Sequence, residues 1–328
     1  MSETETMEAA FIRQLGAPDS IEYGDLPIPS LGPDEVLVRF EASEVNRVDL
    51  FVRSGAYRTD VEFPFVIGRD LVGRVVASGP DAPGFQPGQM VWTNSMGHGG
   101  RQGTFADFTA VPADRLYPLP DGVAPRDAAP LLHAAATAHI GLFQRARPER
   151  GQTVFVGGAA GGVGSAVTQM AADAGVRVIA TASPDDFGWC RSCGATETLD
   201  YHSPDLPDQI RDLAPEGVHL WWDTSGHHDF EASLPLMAQR GTMLVMAGIH
   251  ASTKLPVGDL YTRDLSLVGF AISNATVDEL ASAADAINRL LAEGRLTARV
   301  GATMTLSQAR EAHELLESGG VRGRILIV

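Results

Sequence analysis

Lysine is almost missing from this chain: Lys254 is the only one, so nearly all positive charge is arginine. Cysteine is scarce too, with only Cys190 and Cys193. Lysine and arginine together number 25 against 41 acids, a net charge of −16. A surface of that sign repels phosphate and excludes a nucleic-acid partner. No apolar run approaches the roughly 18 residues of a membrane span. No charged-then-apolar leader opens the chain either, so a soluble, cytoplasmic protein with no membrane partner is expected. Two cysteines cannot make a four-thiolate zinc cluster. Their C-x-x-C spacing leaves two readings: a redox pair or half a metal site, and a helix-face packing pair ahead of Gly194.

What is present is a chain of 328 residues, 44% of them apolar. That length suggests two domains, and that composition supplies real cores. Up to Pro125 the texture is Gly- and Pro-rich with short Val-rich strands, as at Val36–Phe40, Gly73–Ala77 and Met90–Thr93. Turn signals such as Gly32-Pro33, Gly79-Pro80 and Pro87-Gly88 separate them. From Asp127 on, alanine-rich helices alternate with strands: Val154–Val156, Val176–Ala180, Glu197–Asp200, His219–Asp223, Thr242–Ala247 and Leu265–Phe270. Such alternation implies a doubly wound parallel sheet, an α/β architecture. Helices at Val277–Glu293 and Ser307–Glu317 and a strand at Arg324–Val328 follow. The pattern alone does not assign that last segment to either domain.

The segment Val154–Gly164 carries the chemistry. A short apolar strand runs into a glycine-rich turn with Gly161, Gly162 and Gly164, and Ala159 stands where a dinucleotide fingerprint has its first glycine. A helix of small residues, Ser165–Ala174, follows, then Gly175 and a second strand. The turn lets backbone approach a pyrophosphate, and the N–H groups of the following helix, Val163 among its first residues, offer it donors. A tight strand–helix connection without a ligand is the alternative.

Several segments in the right order then carry a resemblance. Pro33-Asp-Glu-Val-Leu-Val, Asn46-Arg-Val-Asp-Leu with Arg53-Ser-Gly-Ala-Tyr57, Ile67-Gly-Arg-Asp-Leu-Val-Gly-Arg-Val, Gly103-Thr-Phe-Ala-Asp-Phe and Gly323-Arg-Ile-Leu-Ile-Val all take part. On these the chain resembles the medium-chain dehydrogenase/reductase superfamily. Within it, the chain is most similar to the zinc-free quinone oxidoreductase (zeta-crystallin-like) branch, which includes related enoyl reductases. The resemblance implies a Rossmann doubly wound parallel sheet plus a mostly β GroES-like catalytic domain. That catalytic domain would be split, residues 1–126 with 271–328, around a nucleotide domain at 127–270. It also implies a homodimer joined at the edge strand Leu265–Phe270.

Zinc-dependent relatives carry a cysteine where this chain has Asn46, and His-Glu where it has Arg69-Asp70. A guanidinium cannot ligate a cation, and a catalytic zinc needs three protein ligands. His98, His133, His139, His227 and His228 are scattered in sequence. No metal is expected. Without a Lewis acid, alcohol oxidation is hard, whereas hydride addition to a quinone or enone needs only a cofactor, an apolar slot and donors for the oxygen. By resemblance Asn46 and Tyr57 are the catalytic candidates, on a loop that faces the nicotinamide in the family. Turn and rim roles are their alternatives. Trp92, Met96, Phe270 and Ile272 are candidates for the apolar slot.

Cofactor contacts are expected from the glycine turn, from Thr137 and from Asp223-Thr-Ser-Gly226. They are also expected from Gly241 and from the Ala247-Gly248 end of a strand. At the adenosine end Tyr201 and Ser183 are the candidates. No acid ends the strand before Ser183, which favours NADPH over NADH, yet Asp185-Asp186 stand where NADP-dependent relatives place a base. Three functions stay open: a quinone or enone reductase, an enoyl-thioester (CoA or carrier-protein) reductase, and a non-catalytic dinucleotide-binding protein.

Overall fold

The computed structural model describes residues 5–328. They fall into two compact units: residues up to His133 together with Leu280–Val328, and Ala134–Glu279. The C-terminal segment, which the sequence pattern left unassigned, therefore belongs with the N-terminal one.

The first unit is β-rich. A three-stranded sheet has the order β2-β1-β4, with β1 Thr6–Ile12, β2 Ile21–Pro27 and β4 Phe65–Val66. A larger sheet runs β15-β16-β3-β5-β6-β8, and β7 pairs with β3. Its strands are β3 Glu35–Glu44, β5 Leu71–Ser78, β6 Met90–Thr93, β7 Phe108–Pro112, β8 Tyr117–Pro118, β15 Val300–Met304 and β16 Arg324–Ile327. Strand β3 is longer than Val36–Phe40, running on through Glu41–Glu44. Its far end pairs with β16, Leu326 opposite Glu44 and Ile327 opposite Ser43. That pairing ties chain ends nearly three hundred residues apart and fixes where Arg324 stands.

Two cores hold the unit. Ala10, Ile12, Leu50, Phe65, Ile67, Phe105, Ile325 and Ile327 pack in one. Val36, Val38, Leu71, Val75, Val91 and Val111 pack in the other. Residues alternate along β3, with Val36 and Val38 wholly buried, the period of two that a half-buried strand demands.

The second unit is a six-stranded, all-parallel sheet of order β11-β10-β9-β12-β13-β14. Its strands are β9 Thr153–Gly157, β10 Arg177–Ala182, β11 Glu197–Asp200, β12 Val218–Asp223, β13 Met237–Val245 and β14 Ser266–Gly269. The chain starts at β9, steps outward to β10 and β11, then returns beside β9 with β12. The reversal makes the C-terminal ends of β9 and β12 the topological switch point, where open parallel sheets bind ligands. Strand β13 ends at Val245, short of the expected Ala247, because Ala247 and Gly248 adopt left-handed backbone, φ 62° and 63°.

Cys190 and Cys193 are buried thiols at the end of helix Phe187–Ser192. That placement is the packing reading of the C-x-x-C spacing. No described helix is long and apolar enough to cross a membrane.

Candidate active site

The nucleotide cradle is built by close backbone approach. Thr153–Gly157 is buried throughout, so β9 delivers the chain to the switch point at a fixed height. Gly158 then turns at φ +68°, a conformation that L side chains rarely adopt. The tight turn expected at Ala159 is thus made one residue earlier. Ala159 instead is buried, with its N–H on Thr181 O at 3.0 Å. Gly164 is required by space: a Cβ there would lie 2.3 Å from Gly158 O and 2.8 Å from Ala159 Cα.

Helix Gly162–Asp173 starts three residues ahead of the Ser165 expected from sequence, with Gly161 as its N-cap. Its first N–H groups, from Gly162, Val163 and Gly164, have no intrahelical acceptor by helix geometry. They form a ready anion site on the positive end of the helix. These residues fit a dinucleotide pyrophosphate.

The neighbouring strand ends close the cradle. Thr224 donates both its N–H (3.0 Å) and its Oγ1–H (2.8 Å) to Gly157 O. Gly226 and Gly248 touch backbone to backbone, since a Cβ on Gly226 would lie 2.7 Å from Gly248 N. Both therefore have a packing reason to be glycine. Thr137 is buried in helix Leu132–His139. Ser183 follows the end of β10, and its hydroxyl donates to Asp186 Oδ2 at 3.0 Å. Tyr201 lies just past β11, half exposed, with its ring 4.1 Å from that of His202. Phe270 packs edge-on against Trp222 at 5.8 Å, and Ile272 is buried nearby in sequence.

The β unit contributes a buried ionic cluster. Asn46 precedes helix Arg47–Ser54, and its N–H donates to Asp49 Oδ2 at 2.7 Å, pinning the first turn. Its side-chain Nδ2 donates to Asp70 Oδ2 at 2.8 Å, and its Oδ1 accepts from Arg324 Nη2 at 2.8 Å. Arg324 also donates from Nε to Glu44 Oε2 at 2.5 Å. Ser43 and Thr104 hydroxyls both donate to Asp70 O. Glu44, Asp49, Asp70 and Arg69 are all buried.

Burial pushes the Glu44 carboxyl up against the pull of Arg324, lifts Asp49 to about 7, and raises Asp70 well above its usual range. Glu44 Oε1 and Asp70 Oδ1 receive no N–H or O–H, yet the two carboxyls lie within hydrogen-bond reach of each other. Carboxylates only accept, so this contact needs a proton on one of them.

Tyr57 lies beyond the left-handed Gly55 that ends the helix (φ 79°). It is partly exposed, inside the field of Arg69, with its ring edge-on to His98 at 5.7 Å. The structure thus gathers Asn46, Tyr57, Arg69, Asp70 and His98 in one neighbourhood. His98 is the residue that sequence reading passed over. Its one signal was the glycines around it, Gly97, Gly99 and Gly100, since a histidine in such a loop is positioned by backbone shape.

Trp92 is one of the candidates for the apolar slot. It is fully buried in the β unit, against Tyr117 at 4.8 Å, and its Nε1 donates to Asn288 Oδ1 at 2.9 Å. That burial is also what plain packing of an aromatic gives. Met96, also buried, lines a separate cavity of about 390 Å³ together with Arg101 and Phe108.

The donors at the zinc position do not fit that metal. Asn46 is held by Asp70 and Arg324, and Arg69 is a buried guanidinium. Among the described residues no group of three or more His, Cys, Asp or Glu could hold an ion. A split β unit in one domain and a parallel nucleotide sheet with this cradle in the other are the parts of a two-domain nicotinamide-dependent oxidoreductase.

Comparison with known proteins agrees. The "Alcohol dehydrogenase GroES-like domain" family matches residues 32–121, and the "Zinc-binding dehydrogenase" family matches residues 162–289. Quinone oxidoreductase of Mus musculus is 27% identical, with 98% of each chain covered. A mycobacterial quinone oxidoreductase is 30% identical and a mycobacterial protein solved in complex with NADPH is 31% identical, each with a TM-score of 0.86, covering 98% of this chain and 99% of that one. An alcohol dehydrogenase superfamily protein of Novosphingobium aromaticivorans is 30% identical with a TM-score of 0.88, over 98% and 99% of the two chains. The chain belongs to the medium-chain dehydrogenase/reductase superfamily, in its zeta-crystallin-like quinone oxidoreductase branch.

Proposed function

We propose that this oxidoreductase reduces a quinone or an α,β-unsaturated carbonyl with NAD(P)H, without a metal. The observation that carries the reading is the occupancy of the zinc-ligand positions. Asn46, locked between Asp70 Oδ2 and Arg324 Nη2 at 2.8 Å each, and Arg69 stand there, with the Tyr57 phenol alongside.

The bound nicotinamide supplies the hydride. The turn Gly158–Gly164 holds the pyrophosphate on the helix N-terminus, and Gly248, Thr137 and Tyr201 serve the rest of the dinucleotide. Asn46 has two amide hydrogens and commits one to Asp70. The second is the donor assigned to the substrate oxygen. Tyr57 gives that oxygen its proton. Preorganised donors of this kind are worth about 10²–10³ in rate.

The test follows NAD(P)H absorbance with a small quinone, an enone and an enoyl-CoA, each with and without a strong chelator. Turnover of a quinone or enone, unchanged by the chelator, is expected. Asn46→Ala with Tyr57→Phe should lower kcat/KM by about 100-fold or more. Turnover restored only by zinc, or a double variant as fast as the parent, overturns the reading. Preference for the enoyl-thioester would select the reductase of thioesters, and tight cofactor binding with no turnover would select a non-catalytic role.

NADPH is the cofactor we favour. The support is the missing acid at the end of β10 and the NADPH held by the mycobacterial relative. The carboxylate of Asp186, 3.0 Å from the Ser183 hydroxyl, opposes a 2′-phosphate there and keeps the preference small. Asp186→Arg should raise the NADPH-to-NADH ratio of kcat/KM by about ten-fold or more. A parent ratio below one reverses the assignment.

A second copy is proposed at β14, the edge of the sheet, where Leu267 is 37% exposed. Sedimentation as a monomer removes that partner.

A further inference from the structure

Strand β7 pairs with β3 alone among the described strands, and a cavity of about 390 Å³ is lined by Phe108, Thr109 and Ala110 of that strand. Small-molecule sites usually span about 300–1,000 Å³. Because side chains alternate along a strand, β7 brings Phe108 and Ala110 from one face and Thr109 from the other. Met7, Leu26 and Val66, buried members of one core cluster, add an apolar wall, and Phe108 packs on that cluster. None of Asn46, Tyr57, Arg69, Asp70 or His98 lines this cavity.

The polar part of the lining holds an arginine without an acid. Arg101 donates from Nε (3.2 Å) and Nη2 (3.0 Å) to Ser95 O, a neutral carbonyl. Those bonds fix the guanidinium and leave its charge uncompensated, with both N–H groups of Nη1 still to be used. The charged groups that act on it are Arg115, Arg69 and Asp114, two cations against one acid. Burial first, and the two guanidiniums after it, lower Arg101 to about 10, so it is still a cation at neutral pH. An anion bound there relieves both the burial and the repulsion. Glu35 is the acid in the lining, and it stands apart from that cation. Its Oε2 accepts from Gly32 N at 2.9 Å, and it is not among the groups that act on Arg101. Thr109 is 4% exposed, and its Oγ1 is buried without a hydrogen-bond partner. Buried hydroxyls are nearly always satisfied, so this one calls for a partner that the chain does not supply.

We propose that this cavity binds a small amphipathic carboxylate, an acid with a short acyl chain or an aryl ring, at a site distinct from the candidate active site. The apolar body lies on Met7, Leu26, Val66 and Phe108. The carboxylate takes the Nη1 N–H groups of Arg101 in a charge-assisted pair, and Thr109 offers a further donor. A neutral molecule of the same shape leaves the guanidinium uncompensated. A cation is repelled by Arg101, Arg115 and Arg69 together. No bond is made or broken at this site, and the reduction chemistry assigned above plays no part in it.

The experiment is calorimetric titration of the full, cofactor-free chain with octanoate and with octan-1-ol. Octanoate should bind about ten-fold more tightly than the alcohol, or better. Arg101→Gln should weaken octanoate by about that factor and leave octan-1-ol unchanged. Ala110→Phe, which fills the cavity from β7, should weaken both ligands about ten-fold or more. Asn46→Ala with Tyr57→Phe should bind octanoate as the parent does. Circular dichroism establishes that each variant is folded. Should one cavity variant fail to fold, the other, with the parent's octanoate-to-octanol ratio, decides. No binding of octanoate at millimolar concentration, equal affinity for acid and alcohol, or parent-like octanoate binding in a folded Arg101→Gln or Ala110→Phe overturns the proposal. Octanoate binding lost in the Asn46–Tyr57 double variant puts the acid in the candidate active site and overturns it too. None of these readouts uses turnover, so each outcome leaves the reductase reading as it stood.

Discussion

Arg324→Ala should destabilise the protein by about 3–5 kcal/mol, the cost of removing one partner from a buried ion network. The apparent Tm should fall on the order of 10 °C. Arg324 donates to Glu44 Oε2 at 2.5 Å and to Asn46 Oδ1 at 2.8 Å. Removing it leaves a wholly buried Glu44 and an amide oxygen with no donor. It also leaves Arg69 alone against Asp49 and Asp70, an imbalance that low dielectric magnifies. Glu44→Gln should cost far less, about 1 kcal/mol or under. The Glu44–Asp70 contact already holds a proton, and an amide N–H can donate to Asp70 in its place. Denaturant melts of the two variants check both values. Equal losses for the two substitutions would mean that packing alone, and not the charge balance, is at stake.

The pH dependence of this cluster has a defined sign. Asp49 has a folded value near 7, above its ordinary 3.8. An acid raised in this way stabilises the fold fully below its unfolded value, and that contribution is lost as pH climbs from about 4 to about 7. Asn46, the proposed donor to the substrate oxygen, gives its backbone N–H to the same carboxyl group. The acidic limb of stability and the geometry of the substrate donor are therefore coupled through one side chain.

Much of the nucleotide unit was readable because its rules are local. The strand–turn–helix at Val154–Gly164 announces itself by glycine spacing and apolar texture, and the parallel order follows from alternation. Misplacing the tight turn at Ala159 instead of Gly158 reflects a limit of spacing: φ is not written in the letters Gly-Gly-Ala-Ala-Gly-Gly. The β unit was legible only in part. Strand β15 is mostly exposed and carries no alternation that a sequence pattern can detect. The sequence does not tell a slot role of Trp92 from a packing one, because an aromatic near a binding loop and an aromatic in a core have the same composition.

The ionic cluster could not be read at all. Hydropathy sends Glu44, Asp49, Arg69 and Asp70 to the surface, and the decisive pair, Glu44 with Arg324, is separated by 280 residues. Only the β3–β16 pairing brings them together. His98 could be read only as one of several scattered histidines, since its neighbour Tyr57 lies on another segment.

Gly164→Val should abolish dinucleotide binding, raising Kd for NADPH by 100-fold or more. The argument is geometric. A Cβ at Gly164 would stand 2.3 Å from Gly158 O, 2.8 Å from Ala159 Cα and 2.9 Å from Gly158 C, all backbone atoms with no rotamer to yield. The helix Gly162–Asp173 must then lift away from β9, or the turn must open. Either movement takes the N–H groups of Gly162, Val163 and Gly164 off the position they share for a pyrophosphate, and the affinity of a helix N-terminus depends on that convergence. A factor of 100 corresponds to about 2.7 kcal/mol, within the range lost when a charge-assisted anion contact is broken. Gly161→Ala provides the contrast. Its Cβ would meet only Gly158 O at 3.2 Å, a contact that small shifts absorb. Its φ of −74° suits any residue, so its Kd should change by less than about ten-fold, 1.4 kcal/mol. Titration of cofactor fluorescence on both variants, with circular dichroism to establish that each is folded, separates the two. Unimpaired binding by Gly164→Val would mean that the cradle tolerates a lifted helix, and would remove the close-approach argument on which the nucleotide site is built.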